Sequence, residues 1–256
     1  MGSHKTKVIA IAQQKGGTGK TTTAHAIGTG LSKKGKRVLF IDLDGQRNLT
    51  YALKALDNTT PTAADILNGS ATAAESIIKN PANSKAAPAD LIRASDTMFN
   101  ALDNDNKEWL FSLQKAIEPI KGKYDFIIID TPPQLGKILA CTMAAATDII
   151  IPALADFFSL QGVAQICETI SQAKEINPAL KISGILITKY SPRKILARDT
   201  ATLIEQTAQA HGTKVFKTRI RECIAVSEAI ARQTDIFTYA PKSTAAQDYT
   251  NLLQEI

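Results

Sequence analysis

Five apolar residues, Val8-Ile9-Ala10-Ile11-Ala12, run almost directly into Gln14-Lys15-Gly16-Gly17-Thr18-Gly19-Lys20-Thr21-Thr22, and few folds accommodate that succession. The apolar run is too short for a helix and suits a buried strand over residues 7–12. Residues 20–34 place Ala24, Ile27 and Leu31 at helical spacing and close on Lys33-Lys34-Gly35, a basic last turn followed by a glycine stop. Between strand and helix, glycines let successive backbone N–H groups turn toward one anion, and the helix N-terminus adds partial positive charge. Lys20 can then reach β- and γ-phosphates, and the Thr21 hydroxyl can bind Mg²⁺. The usual pattern G-x-x-x-x-G-K-[ST] requires glycine at position 14, which here is Gln14, while an extra lysine, Lys15, precedes Gly16-Gly17. Two neighbouring lysines repel unless both face phosphate, so Lys15 favours a highly charged ligand that is shared or capped from outside.

A second strand at residues 36–43 completes a right-handed βαβ unit, and the alternation returns along the chain. Strands are expected at 124–130, 148–153, 181–188 and 214–217, with helices at 159–175 and 197–210. Between 58 and 106, rich in Ala, Asn, Thr and Ser, the reading is two small helices at 63–68 and 73–78 and an apolar run at 89–94. A helix at 106–121 carries the single tryptophan, Trp109. Together these elements predict an α/β fold, a doubly wound and mostly parallel sheet flanked by helices, of the P-loop NTPase type.

Two strand ends add carboxylates to the phosphate loop. Phe126-Ile127-Ile128-Ile129-Asp130 ends an apolar strand in an acid, the arrangement that sets an Asp beside Mg²⁺. Asp42 and Asp44 end the strand after the loop helix, so both ends can face one crevice, and one of these carboxylates can position an attacking water. Net charge is +6, and residues 189–242 hold ten basic against five acidic side chains, five of the six excess charges. Such asymmetry fits a polyanionic partner or a solvated face. Cys141, Cys167 and Cys223 form neither a disulfide framework nor a metal pattern. No apolar stretch reaches the length of a membrane span. A reducing cytoplasm is expected. Residues 1–6 are set aside as a vector remnant and N-terminal tail.

Four segments then carry a resemblance: Lys15 to Thr22, Asp42-Leu43-Asp44-Gly45-Gln46, Asp130-Thr131-Pro132-Pro133 with Leu135-Gly136, and Val226-Ser227-Glu228-Ala229. In this order they resemble the ParA family of DNA-partitioning ATPases, within the deviant Walker A group that includes the division-site ATPase MinD. The resemblance runs over nearly the whole chain, so residues 7–256 are expected to form a single ATPase domain. It implies ATP and Mg²⁺ as cofactors, and an ATP-driven homodimer in which Lys15 reaches across to the partner's nucleotide. It makes Lys15, Lys20 and Asp44 catalytic, with Asp44 orienting water. Gly16, Gly17, Thr18, Gly19, Thr21 and Thr22 join the two lysines in holding the nucleotide. Thr21, Asp130 and Asp42 stand on the metal side, and Arg221 and Cys223 lie near adenine. It further implies nonspecific double-stranded DNA held by Lys189, Arg193, Lys194, Arg198, Lys217 and Arg219, a ParB-like centromere-binding partner that stimulates slow hydrolysis, and a cytoplasmic, nucleoid-associated location.

The chain departs from the family pattern at several places. Gly45 replaces the usual proline, Arg221 and Cys223 replace proline and asparagine, Ala225 replaces an arginine that often contributes to DNA binding, and Thr131 replaces a frequent cysteine. The alternative is a MinD-like or protein-cargo-positioning ATPase acting on a membrane or protein surface. A membrane partner is not expected, because residues 244–256 contain no Lys or Arg and carry Asp248 and Glu255. An ATP-dependent synthetase on the same fold would need a second committed polar pocket, and none is legible.

Overall fold

The computed structural model describes residues 6–85, 87–102 and 108–256. Most of the expected vector remnant, and the first two residues of the helix expected from 106, lie outside them. Alternation within the strands decides the layering. In β1 (Lys7–Ile11), Val8 and Ala10 face one apolar cluster while Ile9 and Ile11 face another. β2 (Val38–Asp42) and β5 (Phe126–Asp130) divide in the same way. A strand that is apolar on both sides must be covered on both.

The sheet has seven strands in the order β3-β4-β2-β5-β1-β6-β7, where β3 is Ile77–Ile78, β4 Asp90–Ile92, β6 Asp148–Leu154 and β7 Lys181–Thr188. All neighbours pair parallel except β3 with β4. α1 (Lys20–Lys33) and α10 (Thr244–Leu252) cover one face. α4 (Ser112–Ile117), α5 (Lys137–Ala145), α6 (Phe157–Ala173) and part of α7 (Ile195–Ala210) cover the other. The remaining helices are α2 (Asn48–Ala52), α3 (Ala63–Leu67), α8 (Ile224–Ala231) and α9 (Ile236–Tyr239). The connection from β1 returns toward β2 while that from β5 leads past β1 to β6, so a crevice opens at the carboxyl ends of β1 and β5. No helix among the described residues is long and apolar enough to cross a membrane.

Three expectations need correction. Residues 73–78 are not helical: Thr72 and Glu75 close a single capped turn, Thr72 Oγ1 donating to Glu75 Oε2 at 2.7 Å. The chain then joins the sheet edge, with Ile77 and Ile78 opposite Ile92 and Leu91. Residues 214–217 touch β7 by one bridge, Val215 to Ile185, and do not form a strand. Gly184 leaves room for the Phe216 ring, which would lie 2.8 Å from a Cβ there, and the amides of Lys217 and Thr218 turn to the Glu255 carboxylate at 2.9 Å each. The helix expected to 121 breaks into 3-10 turns, Trp109–Phe111 and Glu118–Lys123, on either side of α4. Pro119 lacks the donor that would continue it.

Candidate active site at the phosphate loop

The loop between β1 and α1 owes its shape to its glycines. Gly17 and Gly19 adopt φ of 75° and 89°, the left-handed region where a side chain is strained. From the end of β7, the Thr188 hydroxyl donates to the Thr18 carbonyl at 2.7 Å and fixes the loop from behind. The loop encloses a cavity of about 550 Å³, whose walls include Gly16, Gly17, Gly19, Lys20, Thr21 and Thr22 together with Asp44. Ile220, Cys223, Ile224, Val226 and Tyr249 form its apolar side. That volume lies within the usual range for small-molecule and cofactor sites.

The two loop lysines part company. Lys20 is buried on the cavity wall, its Nζ donating back to the Lys15 carbonyl at 3.3 Å. Burial lowers its pKa, while Asp130 and Asp44 act against that shift. Lys15 turns away from the cavity. Its Nζ reaches both oxygens of Asp156 at 2.8 Å and lies 5.6 Å from the centre of the Phe158 ring. Asp156 is itself the cap of α6, accepting from the Ser159 amide at 2.7 Å.

Register brings the acids together, because Asp42 pairs with Asp130 across β2 and β5, and Asp130 with Ile11 across β5 and β1. Asp42 is fully enclosed. Its Oδ2 accepts from the Thr50 amide at 2.8 Å and hydroxyl at 2.7 Å, and its Oδ1 from the Asp44 amide at 3.1 Å. Burial raises its pKa to about 6 despite these hydrogen bonds. Both oxygens being engaged, Asp42 holds the segment that carries Asp44. Asp44 projects into the cavity, its Oδ1 accepting from the Gln46 amide at 3.0 Å.

Asp130 differs from both. It is buried, and neither oxygen has a hydrogen-bond partner among the described residues. Burial first, then the charges of Asp42 and Asp44, push its pKa well above the usual carboxylate range, with Thr21 and Lys20 acting against. A buried, unpartnered carboxylate beside like charges is costly unless a cation meets it. The residues therefore fit a divalent cation held by the Thr21 hydroxyl and the Asp130 side of the crevice. No cluster of three His, Cys, Asp or Glu side chains set to hold a metal occurs among the described residues. Mg²⁺ commonly needs none, since it binds through one or two protein ligands, waters and substrate phosphates.

The remaining candidates separate by position. The Arg221 guanidinium and amide are committed to Asp248, with Nη2 2.6 Å from Oδ1 and N 2.9 Å from Oδ2, so the cavity meets the edge of that pair. Lys189, with φ of 48°, stands on the cavity wall. Arg193, Lys194, Arg198 and Lys217 are exposed. Arg219 is tied internally, donating to Glu205 at 2.6 Å and the Tyr190 hydroxyl at 2.8 Å. Sequence reasoning missed Asp156, Thr50, Thr188 and Tyr249. Of these only Asp156 had a local signal, as an acidic cap three residues before Ser159.

A strand, glycine loop and helix with a cavity-facing lysine, closed by acidic ends of two adjacent parallel strands, define a P-loop nucleoside triphosphatase. A family model described as an AAA domain matches residues 6–182. The chain is 33% identical over 264 residues to the chromosome partitioning protein ParA of Caulobacter vibrioides, covering 100% of this chain and 96% of that one. Among solved structures, cobyrinic acid a,c-diamide synthase from Mycobacterium smegmatis, with bound ADP and magnesium, superposes with a TM-score of 0.81 at 29% identity, covering 97% of this chain and 93% of that one. The septum site-determining protein MinD of Pyrococcus horikoshii, complexed with Mg-ADP, does so with a TM-score of 0.78 at 25% identity, covering 98% and 95%. The chain belongs to the ParA/MinD family of ATPases.

Proposed function

We propose that residues 7–256 act as one Mg²⁺-dependent ATPase domain that partitions DNA: it dimerises on ATP, binds nonspecific double-stranded DNA as a dimer, and hydrolyses ATP slowly until a ParB-like partner stimulates it. The observation that carries this reading is the division of labour between the loop lysines. Lys20 serves its own cavity, while Lys15 stands outside it on Asp156, available to a nucleotide held by a second copy. Curated relatives named as chromosome-partitioning proteins, at about this chain's length, support the same choice of cargo class.

In this site the loop amides and Lys20 bind the phosphates, and Asp44 accepts a hydrogen bond from the attacking water and orients it. Asp42 and Thr50 keep Asp44 in place. Thr21 and Asp130 would hold the metal, whose chemistry is to neutralise charge on the phosphates. Most of the rate gain comes from this fixed electrostatic frame. A membrane-surface role finds less support, because the apolar face of α10, including Ala245, Ala246, Tyr249 and Leu252, is packed into the core.

The test is binding to a random-sequence duplex with ATP, ADP or no nucleotide, across salt concentrations, with Lys20→Ala as control. Binding only with ATP, weakening steeply with salt and lost in the control, is the expected result. ATP-driven dimerisation without DNA binding in any state would move the function to a protein or membrane surface.

A further inference from the structure

The first turn of α7 combines two features that rarely share a surface. Arg193, Lys194 and Arg198 are exposed around it, Lys194 within 3.8 Å of the Glu222 carboxylate at the rim. Lys194 caps the helix without a side-chain hydrogen bond, and no acidic residue stands in the first turn. In the same turn Ile195 and Leu196 are each 67% exposed, two branched aliphatic side chains of types normally buried, held in water among cations. The inward residues Ala197, Ala201 and Ile204 are packed, so the helix holds this tip firmly.

Its shape and charge narrow the occupant. Beyond the tip the outward face turns polar through Asp199, Thr202, Gln206 and Gln209, with Leu203 the one large apolar side chain among them. A helix lying in a membrane surface needs a continuous apolar face, and this one offers a point. Pairing the face with itself across a two-fold axis would bring Arg193, Lys194 and Arg198 of each copy together against only Asp199 and Glu222, leaving an excess of positive charge. Proteins that deform DNA insert Leu or Ile between base steps in the minor groove while neighbouring Arg and Lys hold the backbone.

We infer that the start of α7 is a DNA-kinking wedge: Arg193, Lys194 and Arg198 engage phosphates beside the minor groove, and Ile195 with Leu196 enter it and part a base step. This rests on the DNA-binding reading above and adds to it a deformation of the duplex. It also predicts a preference that nonspecific phosphate binding lacks, for duplexes rich in flexible TA steps over stiff A-tracts.

The experiment uses the full chain with ATP and short end-labelled duplexes, TA-rich or A-tract. Fluorescence anisotropy reports binding and energy transfer between the ends reports bending. Wild type is expected to bend the TA-rich duplex by roughly 20 to 90°. The Ile195→Ala/Leu196→Ala variant is expected to keep the salt slope of binding and to lose most of the energy-transfer change and the TA preference. I195K/L196K provides a second check, binding at least as tightly through added charge and still failing to bend. Binding without any energy-transfer change in wild type, or equal bending by the alanine variant, overturns the wedge and leaves the DNA reading intact. Flat anisotropy in wild type overturns both. Binding to vesicles of anionic lipid that depends on Ile195 and Leu196, with no bend in DNA, assigns the tip to a membrane and overturns the wedge.

Discussion

Three aspartates gather at the carboxyl ends of β2 and β5, and their surroundings set them apart. Asp42 is saturated by Thr50 and the Asp44 amide, Asp130 is buried without a partner among the described residues, and Asp44 faces the cavity. Removing Asp44 should therefore spare binding and stop chemistry: Asp44→Ala is expected to retain an ATP-bound dimer and lose about 100-fold or more in kcat. Size-exclusion mass measurement together with phosphate release checks both halves, and a monomer in ATP would count against the assignment. His25 makes a separate case on the inner side of α1. It is enclosed against Phe40, with ring centres 6.3 Å apart, and burial lowers its pKa to about 4 against an ordinary 6.5, the Asp235 charge opposing. Between those values the unfolded chain binds more protons, so His25 leaves stability intact above about pH 6.5 and reduces it as pH falls toward 4. Between about pH 7.5 and about pH 5 its contribution should fall by about 2 kcal/mol. Urea unfolding at both pH values should show a shallower pH dependence in His25→Gln by that amount; equal slopes would mean the imidazole is not sealed.

At the scale of elements, the phosphate loop is held where it is by how closely α1 lies on the sheet. Gly28 permits this approach: a Cβ there would come within 2.2 Å of the buried Phe40 ring on β2. Gly28→Ala is expected to destabilise by about 1 to 3 kcal/mol, since an enclosed ring has little space to yield. A lower urea midpoint with unchanged m value is the readout, and an unaltered midpoint would show that helix and sheet can separate at no cost. Long periodic or apolar elements were legible in advance. Ala24, Ile27 and Leu31 all reach the core, and β7 spans the expected residues 181–188. α5 was hidden because Ile138 to Leu154 reads as one apolar stretch, which the chain divides between a helix and β6 at Ala146 and Thr147. α9, only four residues long, is marked by its cap, Asp235 accepting from the Thr238 amide at 2.9 Å, whereas α10 joins a cap, Ser243 accepting from the Ala246 amide at 3.2 Å, to an apolar face of Ala245, Ala246, Tyr249 and Leu252.

Over the whole molecule, the charge excess of residues 189–242 divides between groups that stay exposed and groups that are satisfied internally. Arg193 and Arg198 are exposed, whereas Arg219 is paired with Glu205 and stacked on Tyr190 at 4.8 Å. If DNA is the matrix, Arg193→Ala/Arg198→Ala should lower the slope of log affinity against log salt by about two, one for each phosphate no longer neutralised. ATP affinity should be unaffected. Arg219→Ala should leave the slope unchanged. Equal slopes in wild type and the double variant would place the binding face elsewhere.

The sequence by itself determined the class of fold, the phosphate loop and the strand-end acids. Each is written in contiguous residues whose local physics has few solutions: a buried strand, a glycine turn and a helix start. Tertiary structure decided which of those groups are free to act. Asp42 and Asp130 are alike in sequence, both closing apolar strands, yet Thr50 satisfies one and no described residue satisfies the other. Lys15 and Lys20 lie five positions apart on one loop, yet Asp156, brought in by α6, draws Lys15 out of the cavity that Lys20 enters. The partner of Lys15 lies 141 residues away, and Thr50, eight residues past Asp42, reaches it because the chain folds back into α2, so no local pattern records either outcome.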